Sequence, residues 1–335
     1  MIPDPVASAW GWSPEAIEPH GGGLINATYV VRVGGVAIAA LQRLHPIFGA
    51  EVNLDLEVVT AHLAKQGLET PRLLRTLDGR AWVEHDGVIW RATTWVDGES
   101  TSTVPDPAWA ASGGELVGRF HRAVADLEYD YRFARAGVHD TQKHLARLDD
   151  HVTAGGDREG VDLGHEVLAA AALLPPLPEQ PRRHVHGDLK ISNLIFRRGR
   201  AIALVDLDTL GKGSLAFELG DAMRSWCNPR GEDAGSVRFE LPIFAAAIEG
   251  FRSVADPLVT RDERIAIAIG LETVCVELAA RFTVDVFEDR YFGWDASRFA
   301  SRREHNLVRG RGQLALAQEV HAARGDVMAI VLSGT

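Results

Sequence analysis

One run of this 335-residue chain, HVHGDLKISN at positions 184–193, concentrates side chains that can do chemistry. An aspartate with an asparagine five residues on, Asp188 and Asn193, presents a base and a metal ligand from one loop. Asp206, at the end of the apolar strand that follows, completes a metal site. Phosphoryl transfer needs these parts: a carboxylate to orient an acceptor hydroxyl, and oxygen ligands for a magnesium ion that bridges phosphates. The spacing from Asp188 to Asn193 is that of a kinase catalytic loop. Lys190 stands where it can steady the charge of the transferring phosphoryl group. The plainer reading is a β-turn whose Asp188 and Asn193 only satisfy backbone groups, but a second acid pair, Asp206 and Asp208, follows at short range. A zinc hydrolase reading of His184, His186 and Asp188 wants a further histidine at once, and position 189 is Leu189. His186 is therefore expected to brace the loop by hydrogen bonds, and His184 has no assigned role.

A second polar constellation lies near the N-terminus, where Gly21, Gly22 and Gly23 precede Asn26 and Thr28. Glycines let backbone N–H groups approach phosphates closely, and Asn26 and Thr28 can add polar contacts. No Gly-Lys-Ser/Thr follows, so this is not a Walker A loop.

The elements that must carry these residues follow from periodicity. Ala27–Val33 and Val36–Leu41 are β-rich runs joined by Gly34 and Gly35, a hairpin signal. Leu56, Val59 and Leu63 recur at helical spacing within 52–65, with Gly67 as the stop. Strands are expected at 81–84 and 88–96. Beyond Gly98 helical patterns dominate, through Leu116, Phe120, Val124 and Leu127 and then over 260–281 and 306–323. A short β pair at 194–196 and 202–207 interrupts them. The tract 153–162 reads as a polar, glycine-rich loop, and Pro175, Pro176, Pro178 and Pro181 mark a stiff connector. The expectation is an α+β chain with a β-rich N-lobe over 1–97 and a mainly helical C-lobe over 98–335.

The composition narrows the class. Thirty-five basic against 46 acidic side chains give a net charge of −11, which argues against a nucleic-acid binder. Hydrophobic residues make up 46%, ordinary for a globular chain. Two cysteines, Cys227 and Cys275, provide neither a disulfide framework nor a cysteine-rich zinc site. The N-terminal MIPDPVASAWGW has no basic region followed by an apolar run, and no apolar stretch suffices to span a bilayer. A cytoplasmic protein with no membrane partner is expected.

HGDLKISN with LVDLD and an N-terminal Gly-rich hairpin resembles the aminoglycoside phosphotransferase/choline kinase superfamily, which has a protein-kinase-like two-lobed fold. Further blocks are similar to the N-acetylhexosamine 1-kinase-like sugar kinases. They include Leu41-Gln42-Arg43, Trp90-Arg91, Gly118 to His121, Val138 to Thr141, Glu218 to Arg224, Arg281 to Asp285, Asp289 to Phe292, and His305 to Arg309. The resemblance runs over roughly residues 20–320. It implies Asp188 as the catalytic base, Asn193 and Asp206 as magnesium ligands, and Asp208 assisting the metal directly or through water. It implies a hinge at Thr93, Thr94, Trp95 and Val96 that meets the adenine of ATP. His139, Asp140, Arg281, Asp285, Tyr291 and Arg309 would line or close an acceptor pocket. One position departs from many relatives: where a strand lysine would pair with a helix glutamate, this chain has Gln42 and Arg43. These would cover the phosphates, with Glu57 the nearest helix acid.

The reading is a magnesium- and ATP-dependent kinase acting on a small-molecule hydroxyl, by resemblance the anomeric hydroxyl of an amino or N-acetylamino sugar. Kinases of aminoglycosides, choline or homoserine are the rivals within enzymes. Cationic acceptors favour a carboxylate-dense pocket, whereas 281–309 mixes Arg281, Arg290, Arg298, Arg302, Arg303 and Arg309 with acids. A nucleotide-binding pseudokinase is the rival from another class.

Overall fold

The computed structural model describes residues 2–21, 26–133 and 137–333. Near the N-terminus lie a short helix α1 (Asp4–Ser8) and strands β1 (Ile17–His20), β2 (Ala27–Val33) and β3 (Val36–Arg43). Gly34 (φ 58°) and Gly35 (φ 81°) turn β2 into β3, a left-handed pair suited to a tight hairpin. Helix α2 (Val52–Lys65) follows, then β4 (Leu73–Leu74), β5 (Val83–His85) and β6 (Val88–Thr94). Among the described residues these six strands form one sheet in the order β1-β2-β3-β6-β4, with β5 also on β6. Strand β1, absent from the sequence reading, carries Pro19 and pairs only with β2. A sheet edge tolerates the missing N–H of proline.

Side-chain alternation gives the sheet two faces. Ala39, Leu41, Trp90 and Ala92 point to one side, where Val6, Ala7, Trp10 and Val31 close a small core. Thr28, Gln42 and Arg91 stand in one cross-strand row on the other side, since Thr28 registers with Gln42 and Gln42 with Arg91.

The chain leaves the sheet at Trp95, whose N–H donates to Ile38 O. Gly98 (φ 155°) lies so close to the next domain element that a Cβ would stand 2.4 Å from Ile195 and 2.6 Å from Phe196 O. The helical part comprises α3 (Pro107–Ala123), α4 (Thr141–Ala154), α5 (Arg158–Ala171), α6 (Leu215–Trp226), α7 (Leu241–Ala255), α8 (Arg261–Glu288), α9 (Arg302–Ala322) and α10 (Arg324–Leu332). Between α5 and α6 run β7 (Arg183–Val185), β8 (Leu194–Arg197), β9 (Arg200–Leu204) and β10 (Gly211–Gly213). They pair as two antiparallel ribbons, β8 with β9 and β7 with β10.

The tract 153–162, expected as a loop, is instead two helix ends around a tight turn. Gly155 and Gly156 take positive φ, and Asp157 caps α5 by accepting from Gly160 N at 2.9 Å. Glycine content obscured a helix whose buried face, Leu163 and Val167, has helical spacing. Helix α8, 28 residues long, starts with a capping box of Thr260 and Glu263 and runs through the middle of the helical core. Among the described residues no helix is long and apolar enough to cross a membrane. Cys227 and Cys275 are both free and buried.

Helices α3 and α7 approach backbone to backbone. A Cβ at Gly250 would lie 2.0 Å from Ala111 O, and one at Gly114 would lie 2.0 Å from Ala247 O. Gly250→Ala is accordingly expected to destabilise the protein by about 3 kcal/mol, the upper part of the overpacking range. Urea unfolding followed by circular dichroism checks this, and an unchanged midpoint would show that the helices separate at little cost.

Candidate active site

The catalytic loop is held from beneath by helix α6. Glu218 accepts from the backbone N–H groups of His186 (2.8 Å) and Gly187 (2.9 Å). Trp226, two turns further along α6, donates its indole N–H to Leu189 O at 2.7 Å. Gly187 has φ 80°, and a Cβ there would meet Thr209 O at 2.6 Å, so glycine is required. His186 is fully buried; its Nε2 donates to Val205 O (2.9 Å) while Nδ1 accepts from Asp188 N (3.3 Å). That is the bracing role its position suggested. His184 likewise serves the framework, bonded to Tyr131 Oη at 2.9 Å and to Leu127 O at 2.7 Å.

So supported, the loop presents Asp188 with one oxygen engaged. Lys190 Nζ donates to its Oδ2 at 2.7 Å and Asn193 Nδ2 at 3.1 Å, and the same Asn193 amide donates to Asp188 O at 2.8 Å. Val205 N donates to Asn193 O (2.9 Å), which aligns the end of β9 with the loop and places Asp206 opposite. Asp206 takes a left-handed conformation (φ 60°) and stands 3.8 Å from Lys190 Nζ. Its side chain, 36% exposed, borders the cleft.

Charge at this point is unbalanced. Burial, and then the neighbouring Asp208 and Asp188 carboxylates, hold Asp206 above the ordinary carboxylate range against the opposing Lys190 and Arg91 charges. Burial works against the charged form of Lys190, but Asp188 and Asp206 more than offset it and raise its pKa. A hard cation would relieve this excess, and an Asp carboxylate plus an Asn carbonyl are the ligand types it takes. Among the described residues no group of three or more His, Cys, Asp or Glu is placed to hold a metal alone. Magnesium bound through one or two side chains and substrate phosphates needs no such group.

The N-terminal half contributes a closed polar network. Arg91 donates from Nη2 to Asp208 Oδ2 at 2.9 Å, from Nη1 to Asp208 Oδ1, and from Nε to Gln42 Oε1 at 2.9 Å. Asn26 Nδ2 adds a bond to Asp208 Oδ2 at 2.6 Å, and Gln42 Nε2 reaches Thr28 Oγ1 at 3.3 Å. This arrangement shows what the expected residues engage. Asp208, 1% exposed, spends both oxygens on Arg91 and Asn26. Asn26, Thr28 and Gln42 face that network rather than open space for phosphates. Arg43 is exposed. Glu57 has no strand cation; it forms a two-bond pair with Arg75, at 2.8 and 2.7 Å. The helix acid that does tie α2 to the helical half is Asp55, which accepts from Tyr129 Oη (2.7 Å) and from the N–H groups of Arg132 and Phe133. Gly22 and Gly23 lie outside the described residues. Thr93 and Thr94 end β6, Thr94 Oγ1 accepts from Arg72 N, and Trp95 and Val96 follow directly where the strand stops.

On the acceptor side the structure sorts the expected residues. Asp285 accepts from the backbone N–H groups of Arg290, Tyr291 and Phe292 and from Asn306 Nδ2, which shapes the loop after α8, and it also lines the cleft described below. Asp140 caps α4 through Lys143 N. Arg309 is committed to Asp233 at 2.6 Å and to Gly293 O at 2.8 Å. His139 bonds the buried Glu277 at 2.9 Å and stacks on Phe217. Arg281 differs: among the described residues no carboxylate pairs with it, and its guanidinium lies over the rings of Tyr291 (5.9 Å) and Phe292 (5.6 Å). Arg281, Tyr291 and Phe292 line a cleft of about 600 Å³ together with Phe133, His144 and Arg147. Sequence reasoning missed Glu218 and Trp226 as loop supports, although the Glu218 to Arg224 block was noticed, and it missed Arg91 as the partner of Asp208.

A small β-sheet joined to a helical body, with Asp188, Lys190, Asn193 and Asp206 brought together between them, is the arrangement of a kinase-like phosphotransferase. The chain belongs to the Phosphotransferase enzyme family, which it matches over residues 16–253, and is a small-molecule kinase whose acceptor is an alcohol group. It is 25% identical over 276 residues to a homoserine kinase of Hyphomonas neptunium, covering 79% of this chain and 78% of the relative. It is 28% identical over 241 residues to a homoserine kinase of Gluconobacter oxydans, covering 70% and 68%. In fold it is similar to a microcompartment-associated aminopropanol kinase (TM-score 0.67, 16% identity, 95% and 96% of the chains covered). It is also similar to amicoumacin kinase hAmiN, solved with AMP-PNP, Ca2+ and Ami (TM-score 0.62, 15% identity, 90% of each chain).

The Glu218 support is testable by pH. Burial opposes its charge, but His121, 3.5 Å away, and the loop N–H groups outweigh it and hold its pKa below the usual value. A carboxylate depressed in the fold stabilises above its unfolded pKa of about 4.3 and loses that contribution as pH falls through the folded value. Glu218→Gln is expected to lower stability by about 1.5–3 kcal/mol at neutral pH, the worth of a charged hydrogen bond. Urea unfolding from pH 7 downward should show the gap to wild type closing below the glutamate range; a pH-independent gap would remove the ionised carboxylate from the explanation.

Proposed function

We propose that this chain is an ATP- and magnesium-dependent kinase that phosphorylates a hydroxyl of an amino or N-acetylamino sugar, at the anomeric position. The observation that carries the reading is Asp188, whose Oδ2 is neutralised by Lys190 and Asn193 while its other oxygen remains to accept a hydroxyl proton. Lys190, shared between Asp188 and Asp206, places positive charge where the phosphoryl group passes. Asn193 and Asp206 would hold magnesium, which supplies charge neutralisation across the nucleotide phosphates. Thr93, Thr94, Trp95 and Val96 would meet the adenine.

The acceptor class is supported by the cleft. Its volume, about 600 Å³, is in the range of pockets that enclose drug-sized ligands. Arg281 brings donors, Asp285 and Glu288 bring carboxylates, and Tyr291 and Phe292 bring ring faces, a mixed set that suits the hydroxyls, an acetamido group and the face of a sugar. A second reading, homoserine, is favoured by the homoserine kinase names of the relatives, and Arg281 would then take the carboxylate.

A coupled ADP-release screen with N-acetylglucosamine, N-acetylgalactosamine, glucosamine, homoserine, kanamycin and choline separates these readings. Turnover is expected with a sugar; turnover with homoserine alone would install the second reading, and none with any acceptor would favour a pseudokinase. Asp188→Asn should lower kcat by about 10²–10⁴-fold, the worth of general-base assistance, while ATP still binds. A mutant that keeps half the wild-type rate when chemistry limits would exclude Asp188 as the base.

Arg281→Ala is expected to raise the acceptor KM about ten- to a hundredfold, as for loss of a charged hydrogen bond, with little change in ATP affinity. Steady-state kinetics beside ATP calorimetry decide this. Equal weakening of both substrates would indicate a folding defect.

A further inference from the structure

Arg91 sits at the centre of the sheet and is 1% exposed, and Asp208, beyond β9, is also 1% exposed. The pair joins positions 117 residues apart. All three guanidinium nitrogens are engaged: Nε with Gln42, Nη1 and Nη2 with the two oxygens of Asp208. Asn26 grips the same carboxylate at 2.6 Å and accepts His45 N at 2.9 Å through its own carbonyl. Asp208 belongs to the short turn Leu207–Thr209 that Asp206 opens, and Leu207 between them is buried. A turn pinned at Asp208 and Leu207 leaves Asp206 little freedom, and Asp206, at a left-handed φ of 60°, stands 3.8 Å from Lys190 Nζ.

We propose that Arg91 is the positioning residue for the turn that carries Asp206. The inference rests on the kinase reading above. Gln42 and Arg91 are cross-strand partners, so Gln42 fixes the guanidinium from the adjacent strand while its other two nitrogens hold Asp208. The planar fork of arginine engages both oxygens of Asp208 and Gln42 at once, which a lysine point charge cannot do. Full engagement and burial make Arg91 a group that orients Asp206 rather than one that contacts phosphate.

The test measures ATP affinity by calorimetry in magnesium and in EDTA, for wild type, Arg91→Lys, Arg91→Met and Asp208→Asn. Melting temperatures without ligand identify any variant that fails to fold, and Arg91→Lys, which keeps charge and length, serves if Arg91→Met does not. Partners that orient a metal ligand typically contribute about ten- to a hundredfold to metal affinity. Arg91→Lys and Asp208→Asn should each lose about that factor in magnesium, with EDTA affinity near wild type, and the Arg91→Met/Asp208→Asn double variant should lose no more than either alone. Equal loss in magnesium and EDTA, or no loss in a folded variant, would overturn the positioning role. Wild-type protein lacking any magnesium dependence would overturn the kinase reading itself.

Discussion

Removing an arginine and an aspartate from water costs several kcal/mol for each ion, and their attraction offsets that only when every remaining donor and acceptor is satisfied. The Arg91–Asp208 pair meets the condition because Gln42 and Asn26 complete its shell. Losing one partner of such a pair leaves a buried charge uncompensated, at about 3–5 kcal/mol. The pair therefore behaves as a tether: the sheet cannot shift on the ribbon β8–β9 without breaking it. The position of the turn Leu207–Thr209, and with it of Asp206, follows from that constraint.

A second constraint comes from α6. Glu218, Ala222 and Trp226 recur every four residues and so share one face of the helix. The two polar members of that stripe reach the backbone of the catalytic loop at both ends of Gly187 to Leu189. Asp188 is thus placed by groups on a rigid helix, with its own side chain left for chemistry. Asp221 and Arg224 pair at 2.9 Å on another side of α6.

Charge is distributed unevenly across the site. Asp188, Asp206 and Asp208 crowd against Lys190 and Arg91, which leaves a surplus of carboxylate where nucleotide and cation are expected. The cleft beyond has Arg281, Arg147 and His144 along its wall, although Glu288 takes up Arg147.

The catalytic loop was legible because its parts are local: Asp188, Lys190 and Asn193 lie within six consecutive residues, and one strand later comes Asp206. Backbone geometry over so short a span leaves few ways to arrange them. The hairpin β2–β3 and helix α2 were legible for the same reason, since Gly34, Gly35 and the Leu56, Val59, Leu63 spacing act within single elements. What sequence left open was the use of each charge. Asp206 and Asp208 stand two residues apart and look alike, yet one borders the cleft and the other is sealed beneath Arg91. Arg281 and Arg309 look alike too, and only packing gives Arg309 to Asp233 and leaves Arg281 over two rings. Sequence determined which groups were available, because residue type and short spacing are properties of the chain; tertiary structure decided which were spent, because that depends on strand register and helix packing across more than a hundred residues.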